Sequence, residues 1–149
     1  MTTNTGERTA LLVMDVQPGI ADRLKNADAY LAQVKKIVAV AHQMKVPVFL
    51  VVVGFREGTP EVSSNNKMFT EIRDGKRPGF INPTPIIVPT SDDIVITKRR
   101  VSAFSGSDLE VLLRAKNIDH LVLSGVATGG VVLSTLREAA DKDYQVTVL

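Results

Sequence analysis

The chain has 149 residues, a formal net charge of +2, 44% hydrophobic residues and no cysteine. This length is typical of a single domain, which we expect over residues 1–149. The weak, dispersed charge disfavours binding to nucleic acid or to an anionic membrane. The absence of cysteine excludes disulfides, thiolate metal sites and thiol catalysis. Because the N-terminus is polar and no apolar run could cross a bilayer, we expect a cytoplasmic protein.

Apolar runs typical of fully covered strands alternate with helical patterns along the chain. The predicted strands are residues 10–14, 48–53, 94–97, 121–123 and 145–149. The predicted helices are residues 28–45, with an apolar stripe running from Leu31 to Met44, a short helix capped by Ser107 or Asp108, and residues 128 to about 142. This alternation predicts a doubly wound α/β fold, a three-layer α/β/α sandwich with a mainly parallel sheet.

Residues 54–93 interrupt the alternation and are rich in proline and turn-forming residues. A connection of this length in a compact domain is usually a lid, a binding loop or a partner surface. We expect Phe69, Ile72 and Phe80 to pack this segment against the rest of the domain. Its basic residues are expected to meet a carboxylate of a substrate; they are Arg56, Lys67, Arg73, Lys76 and Arg77.

Asp15, Lys98 and the turn at residues 125–130 all follow predicted strands. The carboxyl ends of parallel strands meet at one edge of a sheet, where binding sites form. Burial of Asp15 would raise its pKa and favour a general acid or base role, although it could instead brace the turn that follows. Lys98 could pair with Asp15 and stabilise negative charge, or it could belong to a solvated basic stretch with the two arginines after it.

The glycine-containing turn at residues 125–130 matches neither the P-loop pattern nor the dinucleotide-binding pattern, so a nucleotide site is not predicted. A helix N-terminus at this turn could still bind an anion or an oxyanion, or the glycines could only permit a sharp turn. His42 and His120 lie in no metal-binding pattern, and we predict neither a metal site nor a cofactor. Ser134 and Thr135 have no histidine nearby in sequence, so a Ser-His-Asp triad is not supported.

The order and spacing of several blocks resemble those of the isochorismatase-like hydrolases, in the cysteine hydrolase superfamily. The blocks are residues 11–17, 48–53, 97–98 with 102–104, and 123–128 with 134–135. The resemblance implies a Rossmann-like fold, a catalytic Asp15, a catalytic Lys98 and a nucleophilic cysteine where this chain has Val131. It also implies a cis peptide and an oxyanion cradle in the turn, and it places these residues in the substrate pocket: Gln17, Phe104, Val126, Ala127 and Thr128.

Val131 cannot attack a carbonyl, so amidase chemistry through a thioester is excluded. The Asp-x-His metal pattern of the nicotinamidases is also missing. In true isochorismatases, as the resemblance has it, an aspartic acid protonates a vinyl ether carbon and water adds, without a thiol. The sequence therefore predicts a hydrolase of a small polar or anionic molecule that uses Asp15 and Lys98. The alternative is a catalytically silent binding or scaffold protein.

The chain ends at Leu149, within an apolar strand pattern. An uncovered apolar edge is an aggregation hazard, so we expect either a subunit contact or a chain truncated after Leu149. The resemblance supports both expectations, since it implies a further helix and strand and a homo-oligomer.

Overall fold

The computed structural model describes residues 8–149. Apolar runs form the strands, and amphipathic stretches form the helices between them. In chain order the elements are β1 (Thr9–Met14), α1 (Ala27–Gln43), β2 (Val48–Val53), α2 (Thr70–Arg73), β3 (Ile94–Lys98), α3 (Leu109–Ala115), β4 (His120–Gly125), α4 (Leu133–Asp141) and β5 (Gln145–Val148). None of the helices in this described part is long and apolar enough to span a membrane.

The five strands form one sheet in the order β3-β2-β1-β4-β5, and every pairing is parallel. The predicted α/β sandwich is therefore confirmed, with a sheet that is parallel throughout rather than mainly parallel. The winding reverses at β1, which pairs with β2 on one side and with β4 on the other. In open sheets of this kind the crevice at such a reversal, beyond the carboxyl ends of the strands, is the usual ligand site.

Helices cover both faces of the sheet. Val34, Val38 and Ala41 of α1 are buried against one face. On the other face α3 and α4 are buried through Leu109, Leu113 and Ala139, together with alternate residues of the central strands. The predicted stripe of α1 is wrong at its end, because α1 stops at Gln43 and Met44 is 66% exposed. Full burial of one aliphatic side chain contributes roughly 1.5–3 kcal/mol, so these stripes hold the layers together.

The segment between β2 and β3 lies over the carboxyl ends of the strands. It contains α2, a 3-10 turn at Pro78–Phe80 and an isolated bridge between Phe55 and Ile81. Phe69, Ile72 and Phe80 are buried there, as predicted, in a cluster with Val53 and Phe55. This cluster is separate from the two that flank the sheet, and it forms one wall of the site described next.

The helix predicted from residue 128 begins differently. Residues Thr128–Val132 form a wide helical turn with non-helical backbone angles at Gly130, and the regular helix α4 starts only at Leu133. Glycine has no side chain to restrict its backbone, so the pair Gly129 and Gly130 permits this irregular start.

Candidate active site

An ion pair joins the ends of β1 and β3 across β2. Asp15 directly follows β1, where its φ of 60° lies in the left-handed region and its amide donates to the Val51 carbonyl at 2.8 Å. Lys98 is the last residue of β3, and its Nζ lies 3.2 Å from Oδ2 of Asp15. The two side chains are only 1% (Lys98) and 8% (Asp15) exposed. The predicted neighbours therefore do meet, in a nearly dry environment.

The ammonium of Lys98 uses all three of its donors. Besides Asp15, Nζ donates to the carbonyl oxygens of Arg100 and Val101, each at 2.8 Å. These carbonyls lie in a loop that α4 holds in place. Oγ1 of Thr135 accepts the amide of Ala103 at 2.9 Å. The loop thus fixes the direction of Lys98 and leaves it no donor for a second partner.

The carboxyl group of Asp15 is only half satisfied. Its Oδ1 is buried and has no hydrogen-bond partner among residues 8–149. Burial raises the pKa of Asp15 to about 6, and the opposing charge and hydrogen bond of Lys98 only partly offset that effect. Burial likewise lowers the pKa of Lys98, against the opposing influence of Asp15. Asp15 can therefore exchange a proton close to neutral pH, and Oδ1 is its oxygen that no group of residues 8–149 satisfies.

A cavity of about 250 Å³ lies beside this pair. Its charged lining residues are Asp15 and Arg77, and the rest of the wall is almost entirely apolar. The apolar side chains come from β2, from the segment over the strand ends and from the chain that follows β1, β3 and β4: Ile20, Val53, Met68, Phe69, Ile72, Phe80, Val101, Val126, Ala127 and Val131. Pockets for drug-sized ligands measure roughly 300–1,000 Å³, so this cavity fits a smaller molecule.

The turn after β4 forms the wall opposite the segment over the strand ends. Gly125 pairs with Met14, and a Cβ at Gly125 would stand 2.6 Å from the Met14 carbonyl oxygen, so only glycine fits. The peptide bond between Val126 and Ala127 is cis. Val131, at the position of the expected nucleophile, is 3% exposed and presents an alkyl group to the cavity.

Three residues that the resemblance places in the pocket have other surroundings. Gln17 is fully buried, and its side-chain amide both donates to the Val53 carbonyl at 3.0 Å and accepts the Val53 amide at 2.8 Å. Phe104 packs against Tyr144 in the core, with ring centroids 5.9 Å apart. Thr128 is exposed at the start of the wide turn. Gln17 thus braces β2 behind the cavity, while Val126 and Ala127 line it.

The basic residues of the segment 54–93 also differ in whether they line the cavity. Arg77 lines the cavity, whereas Arg56 pairs with Glu61 and Lys67 donates to the Ser64 carbonyl. The two histidines bind protein groups, His42 the carboxylate of Asp93 and His120 the hydroxyls of Thr9 and Thr147. No group of three or more potential metal ligands occurs within residues 8–149.

Several features of the site carry no local sequence signal. The carbonyls that hold Lys98 belong to ordinary loop residues, and main-chain acceptors cannot be read from side-chain patterns. Met68 and Ile20 line the cavity although neither lies in a predicted element. Thr135 was noted in the sequence only because it lies in a block that resembles the family. Its bond to the loop could not be predicted.

Comparison with known proteins shows the family to which this chain belongs. Residues 9–149 match the model of the isochorismatase domain. The uncharacterized isochorismatase family protein YwoC of Bacillus subtilis is 31% identical over 140 residues, which cover 93% of this chain and 74% of YwoC. The N-carbamoylsarcosine amidase of Arthrobacter sp. is 27% identical over 150 residues, which cover 94% of this chain but only 57% of the amidase.

Solved structures agree on the fold. The crystal structure of a cysteine hydrolase from Pseudomonas syringae pv. phaseolicola superposes with a TM-score of 0.84, covering 97% of this chain and 71% of the hydrolase. Its sequence identity with this chain is 23%, so the superposition supports the architecture alone.

Proposed function

This chain belongs to the isochorismatase family, and we propose that it is a hydrolase of a small polar or anionic molecule whose chemistry rests on Asp15 and Lys98 without a nucleophilic side chain. One observation carries the proposal. The unpaired Oδ1 of Asp15 belongs to a cavity-lining carboxyl group whose pKa is raised to about 6. A buried oxygen without a partner costs free energy, and a substrate that donates to it or accepts its proton would recover that cost.

The reaction that fits these groups is acid-catalysed hydrolysis of a vinyl ether. Asp15 donates its proton to the terminal vinyl carbon, which leaves an oxocarbenium ion. Water adds to that ion and returns a proton to Asp15, and the resulting hemiketal separates into an alcohol and a carbonyl compound. The ammonium of Lys98 stabilises the carboxylate that Asp15 becomes after it gives its proton to the substrate. The turn at residues 127–131 would cradle the polar end of the substrate.

Val131 favours a second candidate, a catalytically silent binding or scaffold protein. An alkyl group at this position forms no covalent intermediate, so we expect amides and esters not to be hydrolysed through an acyl-enzyme. The Asp15–Lys98 pair argues against a catalytically silent protein, because replacing a buried ion pair by apolar residues is often neutral or stabilising. A protein without chemistry to perform would gain little from keeping the pair.

Turnover of isochorismate, beside a small panel of amides and esters, separates the two candidates. We expect isochorismate alone to be hydrolysed, and Asp15→Asn to lower kcat by about 10²–10⁴-fold because the acid is lost. Asp28→Asn is the matched control, since Asp28 is exposed on α1. The rate should fall as pH rises through the pKa of Asp15, about 6, because the protonated form is the acid. Absence of any turnover by folded protein would favour the silent protein.

A further inference from the structure

We propose that Arg77 is a specificity residue that binds a carboxylate of the ligand at the cavity beside Asp15, so that small carboxylates bind in preference to neutral molecules of the same shape. The inference rests on the proposed function only in taking this cavity as the ligand site. It concerns what binds there, not whether the bound molecule is hydrolysed.

The charges around the cavity are unbalanced. Asp15 and Lys98 form a pair of opposite charges with a net charge of zero while both are ionised. Arg77 is the remaining charged residue of the lining, and no carboxylate of residues 8–149 lies within ion-pair distance of it. The lining therefore carries a single uncompensated positive charge, which complements one negative charge on a ligand.

The guanidinium of Arg77 is held in place by one of its edges. Its Nη2 donates to the Gly19 carbonyl at 3.1 Å, and its Cζ lies 4.4 Å from the centroid of the Phe80 ring. The other two guanidinium nitrogens, Nε and Nη1, have no protein partner within the described range. A guanidinium fixed through one nitrogen and stacked on a ring retains N–H donors for an incoming carboxylate. Little side-chain freedom is left to lose on binding.

Gly19 and Phe80 are themselves fixed against each other. Gly19 has a φ of +85°, and a Cβ there would stand 3.3 Å from the Phe80 ring. The amide of Gly19 donates to Asp22 at 2.8 Å, which anchors the residue whose carbonyl receives Arg77. The loop after β1 and the segment over the strand ends thus position Arg77 together. The rest of the wall offers apolar contact, so the charge of the ligand must lie near Arg77 and its body must be small.

Binding of acetate, propanoate and benzoate, each compared with its carboxamide, tests the proposal by NMR titration of the intact protein. Each carboxamide has the shape of its acid without the charge. We expect benzoate, the largest apolar body of the three, to bind about tenfold or more tightly than benzamide, since hydrogen bonds to charged groups contribute more than neutral ones. Arg77→Gln should abolish that preference and Arg77→Lys should retain part of it. Lys76→Gln removes an exposed charge one residue away and should change nothing.

Three results would overturn the proposal: no binding of any carboxylate in the panel, equal binding of acids and amides by the wild-type protein, or an equal loss in Lys76→Gln and Arg77→Gln. The titration is independent of turnover. A protein that prefers benzoate through Arg77 yet hydrolyses nothing would refute the proposed hydrolase and leave this inference standing.

Discussion

Two buried carboxylates lie at opposite ends of the sheet and differ in how many donors reach them. Asp93, just before β3, has Oδ1 at 2.7 Å from Nε2 of His42 and accepts the Thr90 amide on Oδ2 at 2.8 Å. Burial alone would raise its pKa, but the hydrogen bonds from Thr90 and His42 outweigh burial, and the pKa of Asp93 is lowered. Asp15 has Lys98 as its partner on one oxygen, and burial prevails. Donors reach both oxygens of Asp93 but only one oxygen of Asp15, and the pKa values of the two carboxyl groups are shifted in opposite directions.

The two ends also differ in the cavities beside these carboxylates. The cavity at the amino ends of the strands, beside His42 and Asp93, measures about 560 Å³, against about 250 Å³ for the one beside Asp15. Yet the larger cavity is lined by a carboxylate whose oxygens are both paired, and the smaller one by Asp15, whose Oδ1 is unpaired. Unsatisfied hydrogen-bonding capacity, rather than size, is therefore the reason why we propose the smaller cavity as the site.

The largest effect on stability is expected from Lys98→Met. The change leaves the carboxylate of Asp15 buried without a counter-charge, which should lower the free energy of unfolding at pH 7 by about 3–5 kcal/mol. The folded-state pKa of Asp15, about 6, already exceeds its ordinary value of 3.8, so the folded state binds this proton more tightly and Asp15 makes stability fall as pH rises from about 4 to 6. Without Lys98 that pKa rises further, and the loss should be smaller at pH 5 than at pH 7.

Urea unfolding at the two pH values measures this difference. Lys36→Met, on the exposed side of α1, serves as control and should change the free energy of unfolding by less than about 0.5 kcal/mol. The double variant Asp15→Asn with Lys98→Met should recover most of the loss, because no charge is then left unpaired. A loss that is equal at pH 5 and pH 7 would show that Asp15 is not the group left without a partner.

A smaller effect, which depends on pH in a lower range, is expected at the other end. His42→Gln weakens one of the contacts to Asp93 and should cost about 1–2 kcal/mol at pH 6. The folded-state pKa of Asp93 lies below its usual value. The stabilisation that Asp93 provides is therefore present above its unfolded-state pKa and is lost as pH falls through its folded-state pKa. The cost of His42→Gln should therefore shrink toward pH 3, whereas the cost of Lys98→Met shrinks from pH 7 to pH 5.

His120→Gln is the matched histidine control, because both ring nitrogens of His120 hydrogen-bond to hydroxyl groups and not to a carboxylate. It should show no such dependence on pH, and neither histidine variant should alter turnover at the Asp15 site. A pH-independent cost for His42→Gln would mean that packing, rather than the contact with Asp93, accounts for it.

The contacts at the two ends of the strands could not be predicted equally well from the sequence. Strands, helices and the meeting of Asp15 with Lys98 could be predicted because apolar runs, 3.6-residue periodicity and the shared edge of parallel strands are local or topological signals. The contact between His42 and Asp93 joins residues 51 positions apart at the other end of the strands, where no motif marks it. Non-local packing decides such contacts, and hydropathy patterns do not encode it.

The same limit applies within the site. Gln17 is polar and adjacent to the strand end, which makes it a natural candidate for the pocket, yet both ends of its amide are used by the backbone of Val53. Conversely, Arg77 was one of five basic residues with equal claim in the sequence. The stacking on Phe80 and the bond to Gly19 that single it out join two separate parts of the chain.

The smallest change in stability is expected from Val131→Cys, which introduces the only thiol of the chain. The two side chains are similar in size, so the free energy of unfolding should change by less than about 1.5 kcal/mol. Val131 lines the cavity but is 3% exposed, so iodoacetamide should alkylate the new thiol while a bulky aromatic disulfide reacts much more slowly.

Two further single-thiol variants set the scale for Val131→Cys. Thr90→Cys, exposed beside the larger cavity, should react with both reagents, and Ala139→Cys, fully buried on α4, should react with neither. If Val131→Cys reacts like Ala139→Cys, small molecules do not reach the wall beside Asp15, and the larger amino-end cavity becomes the better candidate for a ligand site. Selective reaction with the small reagent would instead show that the smaller cavity admits a ligand of the size that the proposed chemistry requires.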